Sequence, residues 1–242
     1  MPKYLLAHDL GTSGNKATLF TTDGTLIRSC VSGYGTHYYN GNWAEQNPED
    51  WWKAVCSSTK ELIQTIDPSE IAAIAFSGQM MGCLCVDENG RPLYDSIIWA
   101  DMRAQDAEKH IAEKIGAKEF FRTTGHRPGA SYSLAKYLWL REHEPDVYKK
   151  TYKILQAKDY MVYKLTGRFL TDYNDATGTN AFDINAFDWS DRILDAVGVP
   201  REVFPEAVES TRIVGEVTGL AAGECGLKKG TPVVMGAGDG GC

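Results

Sequence analysis

Two carboxylates stand where short apolar runs meet glycine-rich turns. Asp9 lies in Tyr4-Leu5-Leu6-Ala7-His8-Asp9-Leu10-Gly11-Thr12-Ser13-Gly14, and Asp239 lies in Thr231-Pro232-Val233-Val234-Met235-Gly236-Ala237-Gly238-Asp239-Gly240-Gly241. A tight turn with free N–H groups and two hydroxyls, Thr12 and Ser13, can wrap phosphate oxygens, and a carboxylate at its entrance can hold Mg²⁺ or orient a water. Neither of the commoner phosphate loops is present here. A Walker loop or a Rossmann turn opens a helix, whereas Gly11 to Gly14 leads into Lys16-Ala17-Thr18-Leu19-Phe20, which alternates as a strand. A third glycine-bracketed loop, Ser77-Gly78-Gln79-Met80-Met81-Gly82, follows the apolar run Ile71 to Phe76. Ligands of open α/β sheets bind beyond such strand ends. Taken singly, each loop also reads as an ordinary turn: Asp9 as a loop cap, Asp239 as a turn former, Met80 and Met81 as packing.

The elements that must position these loops follow from periodicity. Thr22-Asp23-Gly24-Thr25 is a hairpin turn, and Leu26 to Val31 resumes as a strand. After an aromatic loop from Tyr34 to Asn47, Asn47 caps a helix that has Pro48 in its first turn and Glu49 and Asp50 complementing its dipole. Trp52, Val55, Thr59, Leu62 and Ile66 share one face, and Asp67-Pro68 ends the helix. Ile71 to Phe76, too short for a helix, suits a central strand covered on both faces, which makes the order β-β-β-α-β. Asp101-Met102-Arg103 leads into a helix from about Ala104 to Ile115, closed by Gly116. From Ala117 to Val197 the pattern is mostly helical, with stops at Pro145, Gly167 and Gly198 and a polar loop from Thr171 to Thr179. A domain rarely ends on its most reactive-looking loop, so the sequence is expected to continue past Cys242.

Composition excludes several classes. The 242 residues are 43% hydrophobic and 24% charged, which fits a folded core. A net charge of −7 with scattered Lys and Arg argues against nucleic acid as a partner. No apolar run reaches membrane-spanning length, and Met1-Pro2-Lys3 leads into the first strand without a leader pattern, so a cytoplasmic location and no membrane contact are expected. Cys30, Cys56, Cys83, Cys85, Cys225 and Cys242 are expected to be reduced thiols, and His8, His37, His110, His126 and His143 form no helical ligand pair.

In their order, these pieces resemble the N-terminal half of an FGGY-family carbohydrate kinase, most closely the xylulokinase branch. The resemblance rests on Asp9-Leu10-Gly11-Thr12-Ser13-Gly14, Trp43-Ala44-Glu45-Gln46-Asn47-Pro48, Ser77-Gly78-Gln79-Met80, Trp99 with Asp101 and Arg103, Lys158-Asp159-Tyr160, Thr171-Asp172 with Ala176-Thr177-Gly178-Thr179, and Gly236-Ala237-Gly238-Asp239. It implies an α/β, ribonuclease H-like domain of the actin/hexokinase-like ATPase fold, with a mixed sheet, helices on both faces and a helical insertion. Residues 1–242 would form the sugar-binding half, and the ATP-binding C-terminal half would be absent. The implied activity is ATP- and Mg²⁺-dependent phosphorylation of a ketopentose such as xylulose, with this half inactive alone and homodimerisation open. By the same resemblance Asp239 is the general base and Asp9 serves the Mg²⁺ and phosphate end. Gly11, Thr12, Ser13 and Lys16 meet the phosphate, and Gln79, Met80, Met81, Trp99, Asp101 and Asp239 border the sugar. Two departures bear on the substrate: Met81 stands where xylulokinases usually have histidine, and Ala100 where asparagine is frequent. Another sugar, a polyol or a sugar acid (ribulose, glycerol, gluconate) is the alternative acceptor, and a non-catalytic sugar-sensing module is the alternative class.

Overall fold

Alternation decides the first strand. In the computed structural model, which describes residues 3–242, Leu6, His8 and Leu10 are buried, while Leu5, Ala7 and Asp9 on the opposite side are more open. The reading of Met1 and Pro2 lies outside the described residues. The chain runs through β1 (Tyr4–Leu10), β2 (Gly14–Thr21), β3 (Leu26–Gly33), α1 (Pro48–Ile63) and β4 (Ile71–Gly78). It continues through α2 (Gln105–Ile115), α3 (Ala117–Thr124), α4 (Ser133–His143), α5 (Pro145–Lys150), α6 (Ala157–Thr166), α7 (Tyr173–Thr177) and α8 (Asp191–Val197), and returns through β5 (Ile213–Glu216), α9 (Gly219–Cys225) and β6 (Pro232–Gly238). The six labelled strands form one mixed sheet in the order β5-β6-β4-β1-β2-β3. β1, β4 and β6 are parallel neighbours, and the rest of the sheet pairs antiparallel.

The expected β-β-β-α-β order is present, and the cap of α1 is as read: the Asn47 side chain accepts the Glu49 N–H at 2.9 Å. Trp51, Val55, Thr59 and Leu62 of that helix are buried. Burial at roughly 1.5–3 kcal/mol per large apolar side chain outweighs the propensity penalty of Trp, Val and Thr, at most ~0.7 kcal/mol each. Helices α1, α6 and α9 pack with Leu6, Leu10, Leu19, Ile74 and Phe76 into one core. A second core, built on Ile111, Phe120, Leu134, Leu138, Ile193 and Trp189, belongs to the helical insertion.

Several expectations are corrected. Helices cover one face of the sheet rather than both: α1, α6 and α9 lie on the side of Leu6 and Ile74, and the face bearing Leu5, Ala7, Phe20 and Ala75 stays partly open. The aromatic loop contains two short strands, His37–Tyr39 and Trp43–Gln46, the second paired with Ser96–Ile97. The region from Ala117 to Val197 is interrupted by strand pieces of two or three residues, too short to impose a visible alternation. The stop read at Pro145 is present, since α4 ends at His143, but a new helix, α5, starts on the proline, where its missing N–H costs nothing. The polar stretch from Thr171 to Thr179 is not a loop: it forms the end of strand Leu170–Asp172 and helix α7, and its acids are buried rather than solvated.

His8 is a core histidine, 2% exposed, with Nδ1 facing the Asn15 side chain, Nε2 3.2 Å from the Thr59 hydroxyl, and its ring stacked on Phe76. Burial pushes its pKa down to about 4. The unfolded chain therefore binds the proton first as pH falls from the free value near 6.5, so stability is full above that value and falls towards pH 4. The expected loss over that window is on the order of 3 kcal/mol. Urea unfolding at pH 7 and pH 4.5, with His8→Asn as the comparison, checks this: the variant's decline should be shallower, and equal slopes would exclude His8 as the cause.

Candidate active site

The parallel register of β1, β4 and β6 brings the strand ends together. Asp9 pairs with Ser77, Ser77 with Ala237, and across the antiparallel neighbour Asp9 pairs with Lys16. One row of the sheet thus reads Lys16, Asp9, Ser77, Ala237. Its side chains line an open groove of about 400 Å³. Ser77 Oγ donates to Asp9 Oδ1 at 3.3 Å, and the Asp9 carboxylate is otherwise exposed. Among the described residues no three His, Cys, Asp or Glu side chains gather into a protein-only metal cage. A single exposed carboxylate beside a glycine turn with free N–H groups fits Mg²⁺, which keeps waters and shares itself with phosphate oxygens.

The turn after Asp9 is fixed from behind. Tyr34 donates its hydroxyl to Gly11 O at 2.5 Å and its N–H to Ser13 O at 3.2 Å, and Gln46 Nε2 donates to Thr12 O at 2.6 Å. Three consecutive carbonyls are held, and among the described residues the N–H groups of Thr12 and Ser13 donate to no protein acceptor. Gln46 is the hub of the neighbourhood. Its Nε2 also donates to Thr36 Oγ1 at 2.7 Å, and its Oε1 accepts from Trp51 Nε1 at 2.9 Å and Gln79 Nε2 at 2.7 Å. A single buried amide therefore ties the glycine turn after β1 to the loop after β4. Gln79 Oε1 is buried without a protein partner. Trp99, 43% exposed, donates its indole N–H to Thr12 Oγ1 at 2.9 Å, which sets the two side chains against each other.

Asp239 is exposed at the start of a short 3₁₀ turn after β6. A bulge delivers it there. The β6 register slips between Val234 and Ala237, and Gly236 adopts φ +73, with its α-carbon so close to β4 that a Cβ would lie 1.7 Å from Phe76 O. Gly238 lies against Met80 and Asp175: a Cβ on it would meet Met80 Cγ at 2.5 Å and Asp175 Oδ1 at 2.7 Å. Met80 is thereby packed against the acidic bend, and Met81 follows in the left-handed region, at φ +63.

Of the residues expected at the site, Asp9, Gly11, Thr12, Ser13, Lys16, Gln79, Met80, Met81, Trp99 and Asp239 surround these strand ends. Asp101 does not. Its carboxylate is fully buried and accepts from Ala44 N at 2.6 Å, Arg103 N at 2.9 Å and the Arg103 guanidinium at 2.7 Å, so it is part of the scaffold. The same guanidinium meets Glu45 at 2.8 Å and lies 3.9 Å from the centre of the Trp43 ring. Sequence reading gave no role to Ser77, Tyr34 or Gln46. It also gave none to the buried group under the acidic bend, where Lys158 Nζ lies 3.0 Å from Asp159, 3.0 Å from Asp172 and 3.2 Å from Asp175. Burial pushes the Asp159 and Asp175 carboxyls up, since one ammonium cannot balance three buried carboxylates. Only the motif order had pointed towards Gln46, Ser77 and Lys158. The partners of Tyr34 and Ser77 are remote in sequence and leave no local signal.

The model of the N-terminal domain of the FGGY family of carbohydrate kinases matches residues 4–242. The chain is 30% identical over 239 residues to the xylulose kinase of Staphylococcus xylosus, covering 99% of this chain and 50% of that protein. It is 34% identical over 242 residues to the xylulose kinase of Bacillus subtilis (strain 168), covering 99% of this chain and 48% of that protein. The crystal structure of gluconate kinase from Lactobacillus acidophilus aligns with a TM-score of 0.93 at 28% identity, over 99% of this chain and 49% of that one. The chain thus spans about half the length of the curated relatives it matches, and its fold is the actin/hexokinase-like one of the sugar kinases. It belongs to the FGGY family of carbohydrate kinases.

Proposed function

We propose that this chain is the sugar-binding half of an ATP-dependent kinase that transfers the γ-phosphoryl group to a hydroxyl of a ketopentose, with xylulose the first candidate. The observation that carries the reading is the placement of Asp9 and Asp239 at the same end of the two parallel strands that flank β4, with an anchored glycine turn on one side and the Gln79 to Met81 loop on the other. Phosphoryl transfer requires an in-line hydroxyl, neutralised phosphate charge and a proton acceptor. Asp239 accepts the proton of the attacking hydroxyl, which becomes acidic as its oxygen bonds to phosphorus. Thr12 and Ser13 offer N–H and hydroxyl donors to the phosphate oxygens, and Lys16 adds a positive charge across from Asp9. Mg²⁺, held by Asp9, would neutralise charge on those oxygens when bound. Gln79, on the loop after β4, borders the sugar, and Trp99 supplies a flat wall.

ATP itself would be held mainly by a C-terminal domain packed on the helix-free face of the sheet, the face with Leu5, Ala7, Phe20 and Ala75. The ketopentose assignment follows the names of the two xylulose kinases. Met81 favours the second reading, another sugar, polyol or sugar acid on the same machinery, because it removes a polar partner from the sugar wall. The test is ADP release by the full-length protein with xylulose, ribulose, gluconate, glycerol and fuculose. The expected result is a kcat/KM for xylulose at least tenfold above the others. A preference for another acceptor would move the substrate, and ATP binding with no sugar-dependent turnover would favour a sensing module.

A further inference from the structure

Lys136, in the first turn of α4, is fully buried, and among the described residues its ammonium faces no carboxylate within ion-pair distance. Its Nζ donates to three backbone carbonyls: Met81 O at 2.8 Å, Ile98 O at 2.8 Å and Ser131 O at 2.5 Å. An ammonium has three donors and no acceptor, so this set fully satisfies it. Burial pushes its pKa down to about 7, and the three oxygens favour the charged form. The neighbouring Ser133 repeats the contact, its Oγ donating to Gly82 O at 2.7 Å. The first turn of α4 therefore grips two consecutive carbonyls of the loop that carries Met80 and Met81.

The identity of these carbonyls gives the contact its meaning. Met81 is held at φ +63, a conformation that a long side chain adopts only when its surroundings impose it. Ile98 immediately precedes Trp99, whose indole reaches Thr12 in the phosphate turn. A single ammonium thus fixes the spacing between the loop on one side of the sugar pocket and the tryptophan on the other, from within a helical insertion that contributes no residue to the phosphate end. We infer that Lys136 is a positioning residue for sugar recognition, setting the separation of Met81 and Trp99 through their backbones. This inference rests on the sugar-kinase reading, in which those two residues border the acceptor.

The test uses the full-length protein with Lys136→Met, similar in length but without donors, and Lys136→Gln, which retains two N–H donors. KM and kcat are measured for the sugar and for ATP beside wild type and Asp239→Asn. For Lys136→Met the expected result is a KM for the sugar raised at least tenfold, with the KM for ATP and kcat within threefold; Lys136→Gln should fall between it and wild type. A sugar KM unchanged in the folded variants, or a loss shared equally by sugar and ATP parameters, overturns the inference and leaves the kinase reading intact. If both variants fail to fold, Lys136 is a folding residue and the inference is likewise overturned. If wild type itself releases no ADP on addition of sugar, the kinase reading falls and takes this inference with it.

Discussion

Asp239→Asn in the full-length protein is expected to lower sugar-dependent kcat by roughly 10²–10⁴-fold, the range for removing a general base, with the sugar KM changed by less than a few fold. Asparagine keeps the size and hydrogen-bonding reach of aspartate but cannot accept the proton from the attacking hydroxyl. The side chain is exposed after β6 and makes no hydrogen bond that the fold depends on, so the melting temperature should move by about 1 °C or less, as for ordinary surface substitutions. That combination separates chemistry from folding. A kcat within threefold of wild type would remove Asp239 from the mechanism, and a large loss of stability would mean that the bend depends on its carboxylate.

Gly236→Ala is expected to cost about 3 kcal/mol or more, in the class of severe backbone strain and overpacking. The new Cβ would lie 1.7 Å from Phe76 O, a backbone atom of the central strand that cannot swing aside, and φ +73 disfavours any L side chain besides. Relief requires either the bulge to flatten or β6 to move off β4. In both cases Asp239 is displaced, so turnover should fall even where enough folded protein survives for assay. Gly35→Ala is the matched control, because a Cβ there meets nothing within 4 Å and its φ is not positive. Urea midpoints of the two variants decide the matter. Near-equal midpoints would mean that the bulge is soft and that the acidic bend does not depend on it.

The sequence carried the strand–turn–strand around Asp9, the cap of α1 and the final strand into Asp239, because those features depend on neighbours a few residues apart. It also carried the positions of Gly11, Gln79 and Met80 through motif order. Asp101 misled for a physical reason. Its acidity and its place in a family segment fit a ligand-facing residue as well as a buried partner of Arg103, and only the fold distinguishes the two. The same holds for Lys136 and Lys158, buried charged residues two of whose partners lie 38 and 55 residues away in one case and on separate elements in the other. One-sided helix cover of the sheet was hidden because an apolar strand reads the same whether its second face meets a helix of its own domain or stays open.

The left-handed backbone at Met81 has a consequence for how this site can diversify. Histidine and asparagine enter that region several times more readily than other non-glycine residues, so exchanging Met81 for either asks nothing new of the loop, which Lys136 and Ser133 already hold by its carbonyls. The main chain at this position is held by the insertion through backbone carbonyls, contacts in which the Met81 side chain takes no part. On the proposed reading, in which Met81 borders the acceptor, a change of acceptor preference is a single-codon step that the backbone does not oppose.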